Sequence, residues 1–275
     1  MTTTVLENRA KTESVFPVME IFGPTIQGEG SVIGEKTSFV RFGGCDYRCG
    51  KCDSLHAVIP ELVAQHKRAM TIQEIANEVC SIPNTPWVTL TGGNPVMWDL
   101  TELVSHLQSA GKYVTLETQG SVFRPWVTDC DQITISPKGP GMENTFPTDF
   151  DQLARWVKTL ALVDHQSWSI KVVAMTVADL EFAIEVMQFV DKLCIANASI
   201  PPECFLSLGN PFPPSPQELT DPIPSTSKPK PSIDILELLS HYKIMTEEIL
   251  QNPHLSEFRV TPQMHVLLWG NEKGK

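Results

Sequence analysis

The chain has 275 residues, enough for one large α/β domain or two small ones, and its 41% hydrophobic content excludes wholesale disorder. With 21 Lys and Arg against 32 Asp and Glu, the formal net charge of −11 argues against a nucleic-acid partner, though not against a small anionic substrate in a local basic pocket. No apolar run approaches the roughly 18 residues of a membrane-spanning helix, and residues 1–14 are polar, without the apolar core of a secretory signal. Seven cysteines, an odd number, do not suggest a disulfide framework. The expectation is a cytoplasmic protein with one domain over residues 1–275, no membrane contact, and a flexible segment at 1–14.

In chain order, apolar runs alternate with helical patterns. Thr37–Phe42 reads as a strand, as do Trp87–Thr91, Tyr113–Glu117, Gln132–Ser136, Ser169–Ala174 and Leu193–Ala196. Thr71-x-x-Glu74 forms a capping-box pattern before Ile72, Ile75, Ala76 and Val79. Asp99-x-x-Glu102 repeats it before Leu100, Leu103, Val104 and Leu107, and Gly111 supplies a stop. Leu180, Ala183, Ile184 and Met187 mark a third helix. Strands alternating with helices predict an α/β fold with parallel strands, a partial or modified (βα)6 barrel whose active site lies at the C-terminal strand ends. The segment 211–231 holds eight of the 22 prolines and reads as an exposed loop or insertion. A helix follows with Ile235, Leu238, Leu239, Tyr242, Met245 and Ile249 on one face, then a short apolar segment, Phe258–Trp269.

Three of the seven cysteines fall within eight residues, in FGGCDYRCGKCDS after the first strand. The spacing of Cys45, Cys49 and Cys52 lets one loop wrap three thiolates around a corner of a [4Fe–4S] cluster, one ligand short of the usual four, leaving an iron open to substrate. A structural zinc site with His56 as fourth ligand is the alternative on spacing alone. Cys80, Cys130, Cys194 and Cys204 are expected to be small buried hydrophobes, and Phe39, Val40 and Phe42 to be strand core.

The triad resembles that of the radical S-adenosylmethionine superfamily. FGPTIQGEGSVIGEKTSFVRFGGCDYRCGKCDS, TLTGGNP, LETQG, TISPK and the late PQMHVLLWGN together resemble the 7-carboxy-7-deazaguanine synthase family, over blocks from about Glu20 to Gly270. The resemblance implies a carbon–nitrogen lyase in queuosine and 7-deazapurine biosynthesis, the supply line of a tRNA modification. Its chemistry is a radical ring contraction of 6-carboxy-5,6,7,8-tetrahydropterin to 7-carboxy-7-deazaguanine with loss of ammonia. It further implies S-adenosylmethionine and Mg²⁺ beside the cluster, a flavodoxin- or ferredoxin-type reductant, and a homodimer. The protein's task would be to position reactants and exclude water.

Carried over residue by residue, the resemblance assigns the cluster to Cys45, Cys49 and Cys52, and Mg²⁺ to Ser54. It assigns S-adenosylmethionine to Lys51, Asp53, Gly93, Glu117, Ser136, Pro137 and Lys138. The pterin falls to Ile26, Gln27, Gly28, Arg41, Thr91 and His265. Read from the residues, GGNP can equally be a βα turn, a strand-end lysine is usually solvated, and Arg41 can form a structural ion pair. Alternation along the strand points Arg41 opposite to Val40 and Phe42. Ser54 stands where the family often has Thr, and Ser207–Asn210 where many members have QPMD. A glycyl-radical activating enzyme would share the triad without needing IQGEG or the carboxylate-binding Arg, and a zinc-binding module is the non-enzymatic alternative.

Overall fold

The computed structural model describes residues 14–163, 167–214, 233–272 and 274. Among them nine strands form one sheet: β1 (Val15–Ile26), β2 (Lys36–Phe42), β3 (Arg68–Thr71), β4 (Trp87–Gly92), β5 (Tyr113–Thr118), β6 (Gln132–Ile135), β7 (Ser167–Ala174), β8 (Glu203–Leu208) and β9 (Phe258–Pro262). Their order is β3-β1-β2-β4-β5-β6-β7-β8-β9. From β2 to β9 every pairing is parallel, whereas β1 runs antiparallel to both β2 and β3. The helices are α1 (Pro60–His66), α2 (Ile72–Ser81), α3 (Thr101–Ser109), α4 (Phe150–Leu160), α5 (Val177–Ala196), α6 (Ile235–Gln251) and α7 (Met264–Trp269). None of the described helices is long and apolar enough to cross a membrane.

The strands alternate strictly between two environments. Val40, Phe42, Val88, Leu90, Val114, Leu116, Ile133, Ile135, Ile170, Val172 and Leu206 belong to one core packed against the helices. Full burial of each Leu, Ile or Phe contributes about 1.5–3 kcal/mol. The intervening positions are mostly polar, with Thr89, Thr91, Thr115, Glu117, Thr134, Ser169, Lys171 and Ser207 facing away from that core beside the apolar Phe39, Val173 and Phe205. A parallel sheet with one mostly polar face needs that face filled from elsewhere. The segment after β1 does this: Ser31 meets Gln132 and Ser169, and Glu29 meets Lys171 and Ser207.

The capping box at Thr71 forms as its sequence predicts, with Glu74 returning to the Thr71 backbone. At α3 the structure differs. Asp99 accepts from the N–H and hydroxyl of Thr101, so the turn is an Asx turn and Glu102 does not reciprocate. Gly111 ends α3 with φ +79°.

Leu193–Ala196, expected as a strand, is the last turn of α5, and the sixth of the expected strands is instead β8. The run LCIA is too short for periodicity to tell strand from helix, but Ala183, Val186, Val190 and Cys194 share the buried face of a continuous helix. β1 escapes sequence reading because Pro17 and Pro24 interrupt it; a register shift between Phe22 and Thr25 takes up Pro24. Cys130, Cys194 and Cys204 are buried as expected, whereas Cys80 is exposed, one step off the α2 face formed by Ile75, Ala76 and Val79. No disulfide joins the cysteines. Of the segment 211–231 only 211–214 fall within the described residues, and of 1–14 only Ser14.

At the end of β4, Gly92 has φ +141°, and a Cβ there would overlap the carbonyl of Phe42. A side chain at Gly111 would be disfavoured only by the φ, with nothing near its Cβ position. Gly92→Ala is therefore expected to cost several kcal/mol and Gly111→Ala about 1 kcal/mol, read from urea unfolding midpoints. Equal losses would contradict the close approach.

Candidate functional site

The cysteine loop leaves β2 and lies across the C-terminal ends of β4 and β5. Gly93 N–H donates to the Phe42 carbonyl (3.0 Å) and Asn94 N–H to the Gly44 carbonyl (2.7 Å). A Cβ on Gly93 would strike the Gly44 carbonyl, so GGNP is glycine-rich because two backbones touch there. Asp46, next to Cys45, accepts from the side-chain amides of Asn94 (2.9 Å) and Gln119 (2.8 Å), and Thr118 donates to the other end of Asn94 (2.9 Å). The far side of the loop is tied by Gly50 N–H to Glu143 O and by Lys51 N–H to Met142 O.

Cys49 is buried with Tyr47, Met142 and Val173, and Cys45, Cys52 and Met175 pack against that group. All three thiols line one cavity. Burial pushes each upward in pKa, Cys52 to about 12 with the help of Asp53, while Lys138 acts in the opposite sense. Among the described residues no three His, Cys, Asp or Glu side chains close on a single ion. Three sulfurs on one zinc at about 2.3 Å would stand within about 4 Å of each other. Thiols that share a cavity without converging suit a cube in which each takes a different iron. His56, the alternative zinc ligand, sits instead 3.4 Å from Glu20 Oε1.

The residues expected at the cofactor separate into groups. Lys51, Asp53, Gly93, Ser136 and Lys138 line the cavity with the cysteines. Lys138 Nζ donates to Ser136 Oγ (3.1 Å), which draws the ammonium into the site and away from solvent. Pro137, between them, is buried and lies off the lining. Glu117 lines the same cavity but keeps company with residues expected at the pterin: Thr91 Oγ1 and Gln27 Nε2 each donate to it at 3.4 Å.

Arg41 points into the cavity, as alternation predicts. Its Nε donates to Glu20 Oε1 (2.6 Å), directly across the antiparallel β1–β2 pair, and its Nη1 to Ser54 Oγ (2.9 Å). Ser54 in turn donates to Asp53 Oδ1 (3.0 Å). Burial opposes the Glu20 charge, but His56 and Arg41 outweigh it and hold the carboxyl at about 2. Arg41 is thus both the ion pair and a remaining Nη fork. Ile26, Gln27, Gly28 and His265 all line the cavity, and a Cβ on Gly28 would collide with the His265 ring. From Ser207–Asn210, Ser207 donates to Glu29 Oε1 (2.5 Å), and Asn210 lines the cavity with its N–H on Gln263 Oε1 (2.7 Å).

Sequence reasoning missed Glu20, Glu29, Asp46, Asn94, Gln119 and Lys171. The available signal was polar residues at alternate positions of apolar strands, above all Lys171 within Ser169–Ala174. Lys171 is 4% exposed and donates to Glu29 Oε2 (2.8 Å) and Glu117 Oε1 (3.4 Å).

No family model matches the chain. It is 36% identical to the 7-carboxy-7-deazaguanine synthase of Bacillus cereus over 264 residues, which cover 95% of this chain and 99% of that protein. It is 37% identical to that of Bacillus subtilis over 262 residues, covering 94% and 98%. The crystal structure of QueE from Escherichia coli superposes with a TM-score of 0.59 at 20% identity, over 91% of this chain and 95% of that one; this likeness is one of fold. With more than a third of its residues identical to two such enzymes along nearly its whole length, the chain belongs to the 7-carboxy-7-deazaguanine synthase family.

Proposed function

We propose that the protein is a 7-carboxy-7-deazaguanine synthase, a lyase that converts 6-carboxy-5,6,7,8-tetrahydropterin to 7-carboxy-7-deazaguanine and ammonia. The observation that carries this reading is one cavity lined by both the three thiols and the Arg41 guanidinium, soft metal donors beside a carboxylate-binding fork. Cys45, Cys49 and Cys52 would hold a [4Fe–4S] cluster, and Lys51, Asp53, Gly93, Ser136 and Lys138 would bind S-adenosylmethionine next to it. Together these groups would supply the one-electron chemistry that abstracts hydrogen from C6 of the pterin.

The chain's own residues bind, orient and exclude water. Glu20 occupies the Nε edge of Arg41 and Ser54 takes one Nη1 N–H, so the other terminal N–H groups would be left for the pterin carboxylate. The Ser54 hydroxyl offers an oxygen donor suited to a Mg²⁺ that keeps several waters. Tyr47, Met142, Val173 and Met175 give the thiols an apolar surround that keeps water from a radical. Ile26, Gln27, Gly28, Thr91 and His265 would hold the rest of the pterin. A reduced cluster fits a cytoplasmic protein served by a flavodoxin- or ferredoxin-type donor, and a homodimer is the proposed assembly.

Anaerobic reconstitution followed by mass spectrometry of the product tests this reading. The wild type is expected to form the deazaguanine carboxylate, and Cys49→Ala to keep near-native circular dichroism while losing cleavage of S-adenosylmethionine. Turnover only with a protein substrate would favour a glycyl-radical activase, and a colourless zinc-loaded protein would end the enzymatic reading.

Arg41→Ala is expected to raise the substrate KM ten- to a hundredfold or more, because each charge-assisted hydrogen bond contributes about 1.5–3 kcal/mol. Uncoupled release of 5′-deoxyadenosine should persist. An unchanged KM would leave Arg41 as the structural partner of Glu20. Mg²⁺ is expected to raise wild-type turnover and to have no effect on Ser54→Ala; equal responses would place the ion elsewhere.

A further inference from the structure

Two carboxylates and one ammonium meet on the polar face of the sheet, on three elements far apart in sequence: Glu29 after β1, Glu117 on β5 and Lys171 on β7. The set carries a net charge of −1 and lies where Lys171 and Glu29 are almost fully buried, with side chains 6% and 12% exposed. Buried charge of this kind persists only when paired, and a single ammonium between two carboxylates leaves acceptor capacity over. Glu29 is tightly held by Lys171 and Ser207. Glu117 is not: its three donors, Gln27, Thr91 and Lys171, all stand at 3.4 Å. Both carboxylates line the cavity that also contains Arg41.

We propose that Lys171 is a positioning residue that holds Glu29 and Glu117 as paired acceptors for the N–H donors of the substrate ring, and that this cluster selects a 2-amino-4-oxo ring over one lacking the amino group. The inference rests on the pterin reading of the same cavity. A carboxylate takes an amino group and the adjacent ring N–H side by side, and the third Lys171 N–H is available to a ring carbonyl. Without the ammonium the two carboxylates would repel, one would take up a proton, and an acceptor would become a donor. Burial disfavours the charge on Glu29 and Lys171 alike, but the charges facing them outweigh it: Lys171, with His265, keeps Glu29 well below its ordinary pKa, and Glu117 and Glu29 together raise that of Lys171. The Glu117 charge reaches Arg41, and both line the same cavity, so substrate held at Arg41 would meet this cluster.

The test is the binding of two fluorescent ligands to the reconstituted holoenzyme, pterin-6-carboxylate and lumazine-6-carboxylate, which differ in an amino against an oxo group at ring position 2. Wild type is expected to prefer the pterin at least tenfold. Lys171→Met is expected to weaken pterin binding tenfold or more and narrow the preference to within about threefold, with Lys171→Arg restoring part of it. Should Lys171→Met fail to fold, the double variant Lys171→Met, Glu117→Gln keeps the cluster at −1, and the same narrowing is expected. A folded, cluster-loaded variant of either kind with the wild-type preference overturns the proposal while leaving the enzymatic reading intact. Wild type that binds neither ligand and makes no product overturns both.

Discussion

Charge pairing on the polar face of the sheet is the interaction on which the rest of the molecule depends. The helices take up the apolar side of every strand, which leaves Arg41, Glu117 and Lys171 turned toward an interior where an unpaired charge would be prohibitive. The two cations are met by partners from β1 or the segment after it, Glu20 for Arg41 and Glu29 for Lys171, and Lys171 also pairs with Glu117. The antiparallel β1, unexpected in a βα repeat, is therefore the element that makes a polar interior tolerable. It does so without filling the cavity, which Arg41, Glu29 and Glu117 still line.

The cysteine loop is held by a second device, backbone contact. Gly92 and Gly93 let β4 end against Phe42 and Gly44, while Asn94, wholly buried, reaches from the same turn to Asp46 beside Cys45. The loop is thereby anchored to the sheet on one side and to the 139–145 segment on the other. Three thiols that would be floppy on a free loop are set around one cavity, an arrangement that would favour the proposed cluster by ordering its ligands beforehand.

Much of this was legible in the sequence. The strand run TSFVRF announced both the core side (Val40, Phe42) and the cavity side (Arg41), because period two separates them. The cysteine spacing located the loop, and Thr71 with Glu74 located a helix start. What was not legible involves pairs whose members are distant: Glu20 with Arg41, Glu29 with Lys171, Asp46 with Asn94. A lysine in an apolar strand signals only that something must pair with it, and the partner is chosen by sheet order, which single-sequence patterns do not encode. Leu193–Ala196 failed for a local reason, since four apolar residues fit either period, and β8 was overlooked in its place.

In the proposed reading, one cavity would grip a pterin carboxylate at Arg41 and its ring edge at Glu29, Glu117 and Lys171, beside a cluster held by Cys45, Cys49 and Cys52. A crystal structure of the anaerobically reconstituted protein with S-adenosylmethionine and 6-carboxytetrahydropterin tests this most directly. The account predicts density for a cube bound by the three thiolates, the substrate carboxylate on the Arg41 Nη fork, and the ring N–H edge within hydrogen-bond distance of the glutamates. A ring edge turned away from the Lys171 cluster, or a carboxylate held elsewhere with the Arg41–Glu20 pair closed, would contradict it.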